Sequence, residues 1–202
     1  LFLFWIQRGL NYDDFDEKID RIYVMWNKAE FSGKMQCWST TPKVLARTLE
    51  RDIPEVERAV RVNWPSNYLL AVGDKKLTVQ GNMVDSGFLQ MFSFPLKEGN
   101  PVTALNDMHS MVVTEKLARK MFGTVDVMGK TINLNNKDNF TITGILKDLP
   151  YDSRFNFEYL LPWSYLRSLG EDDENWSNNS TITYVMLKEH TSLASVAPKV
   201  KV

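Results

Sequence analysis

Residues Met111–Pro150 constrain the fold more than any other stretch, because start and stop signals of both backbone periods fall there in sequence. Thr114 is placed to N-cap a helix by accepting a bond from an otherwise unpaired amide. Glu115 follows in the first turn, where the helix dipole favours an anion. Leu117, Ala118, Met121 and Phe122 then recur on one apolar face, while Lys116, Arg119 and Lys120 take the wet side. Gly123 stops the helix, since glycine enters the left-handed conformation without steric penalty. Beyond Gly129 the period changes to two. Thr131–Leu134 and Phe140–Leu146 alternate around an Asn135–Asn139 turn, which predicts a hairpin.

The same stretch imitates a phosphate-binding loop. Gly123 and Gly129-Lys130-Thr131 resemble G-x4-G-K-[ST], but five residues separate the glycines where the motif has four. The order is also wrong. A phosphate loop runs strand, glycines, helix, so that amides at a helix start meet the anion. Here the glycines end a helix and precede a strand, so they read as punctuation.

Elsewhere the pattern mixes helix and strand. Asp13–Asp20 reads as a helical lead-in, with Phe15 and Ile19 on one face. Arg21–Ala29 reads as a strand with both faces partly covered. Thr41 and Pro42 open a helix whose face is Leu45, Leu49, Ile53 and Val56, ending near Pro54. Arg58–Gly81 holds strands joined at Gly73–Lys76. Val84–Phe94 reads as a short helix with Phe88, Met91 and Phe92 inward, and Met111–Val113 as a strand. Tyr159–Leu169 is strand turning into helix, Gly170–Ser180 a polar loop, and Thr181–Leu187 a strand. Leu193–Val202 starts a helix that Pro198 weakens. The sum is an α+β chain. At 202 residues and 44% apolar content it can bury a sizeable core.

Few residues point to chemistry. Basic and acidic residues number 24 and 25, which leaves no electrostatic footprint for nucleic acid. His109 and His190 are the only histidines, and Cys37 the only cysteine; zinc sites need several such ligands at short spacing. Cys37 is expected to be a small, half-buried side chain. No G-x-S-x-G elbow is present. Asp13, Asp14, Asp16, Glu17 and Asp20 lack the pattern of a calcium loop and read as helix-start acids. Glu171-Asp172-Asp173-Glu174 reads as a solvated loop, with a weak cation site or a partner contact as alternatives. Trp163, Tyr165 and Trp176 lie in or beside polar, loop-like sequence. If exposed together, they would form a peptide, lipid or protein contact. Catalytic, cofactor and metal residues are expected to be none.

Several ordered pieces carry a family resemblance. They are Asn11–Phe15 with Asp20–Tyr23, Ile53–Val56, Met83–Phe94, Leu96–Gly99, Val112–Gly123, Gly129–Ile132, Thr141–Pro150, Ser153–Phe157 and Thr183–Lys188. The set resembles the periplasmic core domain of MacB/FtsX-type ABC transporter permeases, in wording most like large permeases of Bacteroides-type bacteria. Gly9 and Asp16 depart from the commoner acidic residue and histidine.

The resemblance implies two subdomains. One is a discontinuous porter-like base from residues 1–62 and 180–202; the other is an inserted, β-rich, sabre-like part from 63–179. Residues 1–8, beginning Leu1-Phe2-Leu3-Phe4-Trp5-Ile6, would be the end of a membrane helix with Trp5 and Arg8 at the interface, an ordinary core segment being the alternative. It also implies a periplasmic location at the bacterial inner membrane and no enzymatic activity. The expected partners are an ABC ATPase subunit or domain, a second permease copy or paralogue, and a periplasmic adaptor or substrate protein. The role would be transport or efflux by mechanical transmission. A free-standing periplasmic peptide- or lipid-binding module is the alternative.

Overall fold

Alternation of apolar and polar residues carries most of the chain into one sheet, seen in a computed structural model that describes residues 3–8, 18–150 and 153–200. Side chains are described for 18–30, 32–150 and 153–200. Strands β1 (Leu3–Arg8), β2 (Ile22–Phe31), β13 (Asn179–Leu187) and β5 (Val56–Asn63) are consecutive neighbours, all antiparallel. From β5 the sheet passes to β7 (Lys75–Val84) through one residue pair, Val62 with Val84.

Beyond β7 the sheet closes on itself. The order runs β7, β12 (Tyr159–Pro162), β9 (Ser110–Thr114), β11 (Asp138–Leu146), β10 (Thr131–Leu134) and β6 (Ser66–Val72), and β6 pairs back onto β7. Closure leaves that ring without an edge strand. Two of its pairings, β7 with β12 and β9 with β11, are parallel. Short β3 (Lys34–Trp38), β4 (Thr41–Pro42) and β8 (Leu96–Gly99) attach to β2, β13 and β11.

Period two sorts the antiparallel strands onto two cores. Ile22, Val24, Val60, Val62, Tyr184 and Met186 face a phenylalanine cluster led by α2 (Phe88–Met91). There the Phe88 and Phe92 rings lie 4.9 Å apart and Phe92 meets Phe155 edge-on at 4.9 Å. Met25, Ala59, Val185 and Leu187 face the other way, onto α1 (Leu45–Asp52) and α5 (Leu193–Val196). Both faces of β2 are thus covered, as expected. A third core fills the ring with Leu70, Met111, Ile132, Phe140 and Tyr159. It is plugged by α3 (Glu115–Phe122) and α4 (Trp163–Ser168).

The two local signals behave as written. Thr114 Oγ1 accepts from Leu117 N, and Gly123 ends α3 at φ 74°. The β10–β11 hairpin turns through Asn135 and Asn136, both at positive φ, where asparagine is tolerated.

Other expectations need correction. Thr41 does not cap α1, which starts at Leu45 with no side-chain cap. Thr41 is fully buried; its hydroxyl donates to Thr181 O at 3.2 Å and shares a 2.8 Å bond with the Thr183 hydroxyl. A sheet partner across the fold outcompetes the local cap. The Val84–Phe94 helix shrinks to Phe88–Met91, because Val84 is held in β7 opposite Pro162. The Leu193–Val202 helix shrinks to Leu193–Val196, ahead of Pro198. Leu3–Arg8 is a strand rather than a helix end, its backbone paired to Tyr23–Lys28 of β2. The Asp13–Asp20 helix falls largely outside the described residues; Ile19–Arg21 is a single tight turn.

Candidate functional site

The one-pair link between β5 and β7 is reinforced by charge. Alternation along β5 turns Val60 and Val62 to the phenylalanine core and Arg61 to the opposite side. There the Arg61 side chain is 4% exposed. Its Nε and Nη2 donate to Asp85 Oδ2 and Oδ1 at 2.9 and 2.8 Å, a two-pronged pair. Its Nη1 donates to Asp172 Oδ1 at 3.0 Å and to Lys43 O at 3.2 Å. The guanidinium lies 4.1 Å from the centroid of the Trp163 ring. A desolvated cation with most of its donors satisfied and an aromatic face beneath it is how a protein tolerates a buried charge.

The acids come from separate elements. Asp85 follows β7, and its carboxylate also accepts from Arg61 N at 2.7 Å. Asp172 follows α4, is 2% exposed, and accepts from Arg167 Nε at 2.9 Å. Lys43, just before α1, donates to Glu171 O and, at 2.8 Å, to Asp173 Oδ2. Arg47 of α1 reaches Glu174 at 3.1 Å. One surface of the fold therefore brings β5, the start of α1, the end of β7 and the loop after α4 to a single seam.

Burial alone would raise the Asp172 carboxyl. Proximity of the Trp163 indole N–H, the bond from Arg167 and the charges of Arg61 and Arg167 outweigh it and hold Asp172 below the usual carboxylate range. The indole stops short of hydrogen-bond geometry. The Lys43 bond does the same for Asp173, against burial and with help from Asn175 N and the Asn178 amide. Asp172 and Asp173 are thus held as anions by the cations and amides around them.

This corrects the reading of Glu171–Glu174 as a plain solvated loop for Asp172 and Asp173, while Glu171 and Glu174 stay exposed. The aromatic expectation also changes. Trp163 and Tyr165 are buried and only Trp176 is open, at 42%, so the three rings form no exposed cluster. Trp163 lies under Arg61. Tyr165 packs edge-on against Phe140 and donates to Asp138 Oδ2 at 2.7 Å; burial, then that carboxylate, push its hydroxyl above its ordinary range. Cys37, expected half-buried, is exposed on β3.

His109 stands beside Phe140, and His190 takes a turn conformation at φ 62°. Among the described residues no three His, Cys, Asp or Glu side chains gather around a point where a metal could sit. Gly123 and Gly129 both take φ 74°, and Lys130 rests near the Phe122 ring. Sequence reasoning missed Arg61, Asp85 and Lys43. The available signal was Arg61 itself, a charge inside the apolar strand Val60-Arg61-Val62, where unpaired arginine is rarely buried.

Comparison with known proteins places this geometry. A family model described as MacB-like periplasmic core domain matches residues 1–201. A domain of a putative permease protein from Porphyromonas gingivalis superposes with a TM-score of 0.75 at 27% identity, covering 94% of this chain and 80% of that one. The periplasmic region of MacB from Actinobacillus actinomycetemcomitans gives 0.65 at 16% identity over 96% and 86% of the two chains. The extracellular domain of the noncanonic ABC-type transporter YknZ from Gram-positive bacteria gives 0.58 at 15%, over 79% and 78%. The last two likenesses speak to fold alone. No functionally curated protein matches the sequence.

Proposed function

The chain belongs to the family of MacB-like periplasmic core domains, and from that premise we propose that it is the non-catalytic extracytoplasmic domain of an ABC transporter permease. Its work is mechanical. ATP hydrolysed by a cytoplasmic ATPase subunit or domain moves membrane helices, and this domain converts the movement into a change of shape on the periplasmic side. It acts there on a substrate or adaptor protein, in concert with a second permease copy or paralogue. The porter-like base would be residues 1–62 and 180–202, and the sabre-like insert residues 63–179.

One observation carries the reading. β2 and β13, which come from opposite ends of the described chain, are hydrogen-bonded neighbours, and β13 in turn holds β5 along seven residue pairs. A displacement of either chain end thus arrives in one short antiparallel sheet. It passes on to the closed ring through the Val62–Val84 pair, the Arg61 seam and the phenylalanine core, which packs Ile22, Val60 and Tyr184 of the sheet with Val112, Leu146 and Leu160 of the ring. A junction both packed and ion-paired in this way carries movement of the sheet into the ring.

The test uses the full permease with its ATPase in membranes. Cys37 is replaced by serine, and a spin label is placed by Lys137→Cys on the exposed β10–β11 turn. The distance between labels on two permease copies shifts on ATP binding and reverts after hydrolysis. Identical distance distributions in nucleotide-free and ATP-bound states would sink the mechanical reading. The binding-module alternative has one point in its favour, an open groove of about 490 Å3 lined by Thr114, Lys116, Asp148, Phe155, Phe157 and Glu158. Its size suits a small ligand; unchanged label distances with peptide binding by the isolated chain would favour it.

A further inference from the structure

Every strand of the ring has two neighbours, yet β7 outruns one of them. It is ten residues long, and β12 pairs only with its last four, Gly81–Val84. On the other side β6 follows it from Lys75 to Gly81. Lys75–Gln80 therefore have a strand on one side alone. One bond tells which way their backbone groups point. Gln80 O accepts from Glu158 N at 2.9 Å, on the β12 side. A strand turns its N–H and C=O to alternate sides residue by residue, so Thr78 and Lys76 aim theirs the same way as Gln80. No described residue meets them there. Two donors and two acceptors along an open stretch of strand are a template for another strand.

Space and charge say what fits. Along that stretch runs an open groove of about 450 Å3, lined by Lys75, Leu77, Thr78, Gln80, Lys120 and Glu158, among others. That volume lies within the 300–1,000 Å3 or so of ordinary ligand sites. Free edge from Lys75 to Gln80, at about 3.3 Å per residue, gives length for a short extended segment. Val79 faces the ring core and Leu77 packs against it, while Lys76 and Thr78 are exposed. A strand laid alongside would set apolar side chains beside Leu77 and polar ones beside Lys76 and Thr78. The rim is basic. Lys75 donates to Lys120 O at 2.8 Å, Lys120 and Lys116 both hold Glu158, and Lys76 makes no ion pair with any described residue. These four lysines outnumber the nearby acids, Glu158 and Asp74 of the β6–β7 turn.

We propose that the first half of β7 is a docking edge for an extended, acidic segment of a partner protein, which adds to the ring as one more strand. Backbone bonds to Lys76 and Thr78 hold the segment, and its alternate carboxylates meet the lysine rim. The two parts of the recognition are separable: the backbone sets register and extended shape, and the lysines select charge. The site stands on the geometry of β7 and not on the mechanical reading above. A permease whose ring never moves would still bind the segment, so the two fail independently.

The probe is the blocked peptide acetyl-Glu-Val-Glu-Val-Glu-amide, titrated while the backbone amides of the chain are followed by NMR. Its twins are the same peptide N-methylated throughout, which keeps the charge and loses every N–H, and acetyl-Lys-Val-Lys-Val-Lys-amide. The acidic peptide should shift the Lys76 and Thr78 amides saturably and slow their exchange, with a Kd on the order of millimolar for a few backbone bonds. Thr78→Pro removes one free donor and leaves the bonds to β6, since proline is tolerated where the N–H faces away from the ladder. It should weaken binding about tenfold. Lys76→Glu keeps the backbone and should weaken the acidic peptide several-fold. The remaining amide spectrum reports that each variant is folded. Equal binding by the N-methylated twin, or binding unchanged by Thr78→Pro, would overturn strand addition. Tighter binding by the lysine peptide would overturn the acidic partner. No saturable binding by either charged peptide would mean that the lysines only guard the edge, and the site would fall.

Discussion

Replacing Asp172 with asparagine isolates what the seam contributes, because shape is kept while one charge is removed. The Asp172 carboxylate is 2% exposed and makes two charged contacts, to Arg61 Nη1 at 3.0 Å and Arg167 Nε at 2.9 Å. A hydrogen bond to a charged group is worth about 1.5–3 kcal/mol. Stripping a buried ion of its only partner costs about 3–5 kcal/mol, but Arg61 keeps Asp85, so the loss falls below that range. Arg167 is 59% exposed, so solvent screening limits its share to under about 1 kcal/mol. The expected total is about 2–3 kcal/mol, which for a chain of this size lowers Tm by roughly 5–10 °C. Urea unfolding followed by tryptophan fluorescence measures it directly, with Arg167→Ala as the comparison. A loss under about 1 kcal/mol, or one no larger than that of Arg167→Ala, would refute the claim that the buried Arg61 contact carries the seam. The pH dependence gives an independent check. Asp172 and Asp173 are both depressed in the folded state. Their stabilisation is therefore present above the ordinary carboxyl value of about 3.9 and is lost as pH falls from there through the folded values. Parent and Asp172→Asn stabilities should converge over that acid window.

Two further predictions concern the ring and its helix. A Cβ at Gly81 would sit 2.4 Å from the Tyr159 ring, so Gly81→Ala should cost about 1–3 kcal/mol by overpacking; Tyr159→Leu in the same chain should recover part of it, and no recovery would place the strain elsewhere. Thr114→Ala removes the acceptor for Leu117 N and should cost about 1 kcal/mol, read as faster amide exchange in the first turn of α3; unchanged exchange would mean that the cap is dispensable.

Local structure was legible where neighbouring residues supply all the partners. Thr114, the 117–118–121–122 face and Gly123 define α3 within ten residues, and the alternation either side of Asn135–Asn139 defines the β10–β11 hairpin. The Thr41 cap failed for the opposite reason. A cap needs the threonine oxygen beside an amide at the helix start, and bonds to Thr181 O and the Thr183 hydroxyl, some 140 residues away, hold the Thr41 hydroxyl in the sheet instead. The ordered motifs also sufficed to place the chain in its family.

The candidate site was out of reach of sequence reasoning. Trp163, Tyr165 and Trp176 share a stretch of polar sequence, but side-chain exposure depends on what packs against them from elsewhere, and two of the three turn inward. Arg61, Asp85 and Asp172 are scattered over more than a hundred positions and meet only after the sheet is assembled.

The sequence by itself determined the α+β composition, the capped helix α3 and the hairpin after it, since periodicity, caps and turn residues act over a few bonds. Only the tertiary structure decided that six strands close into a ring with two parallel pairings, and that a shared phenylalanine core, the Val62–Val84 pair and a buried arginine join it to the antiparallel sheet. Strand pairing and charge burial are choices among distant partners. Their free energy depends on which groups are excluded from water together, and a linear pattern does not specify that.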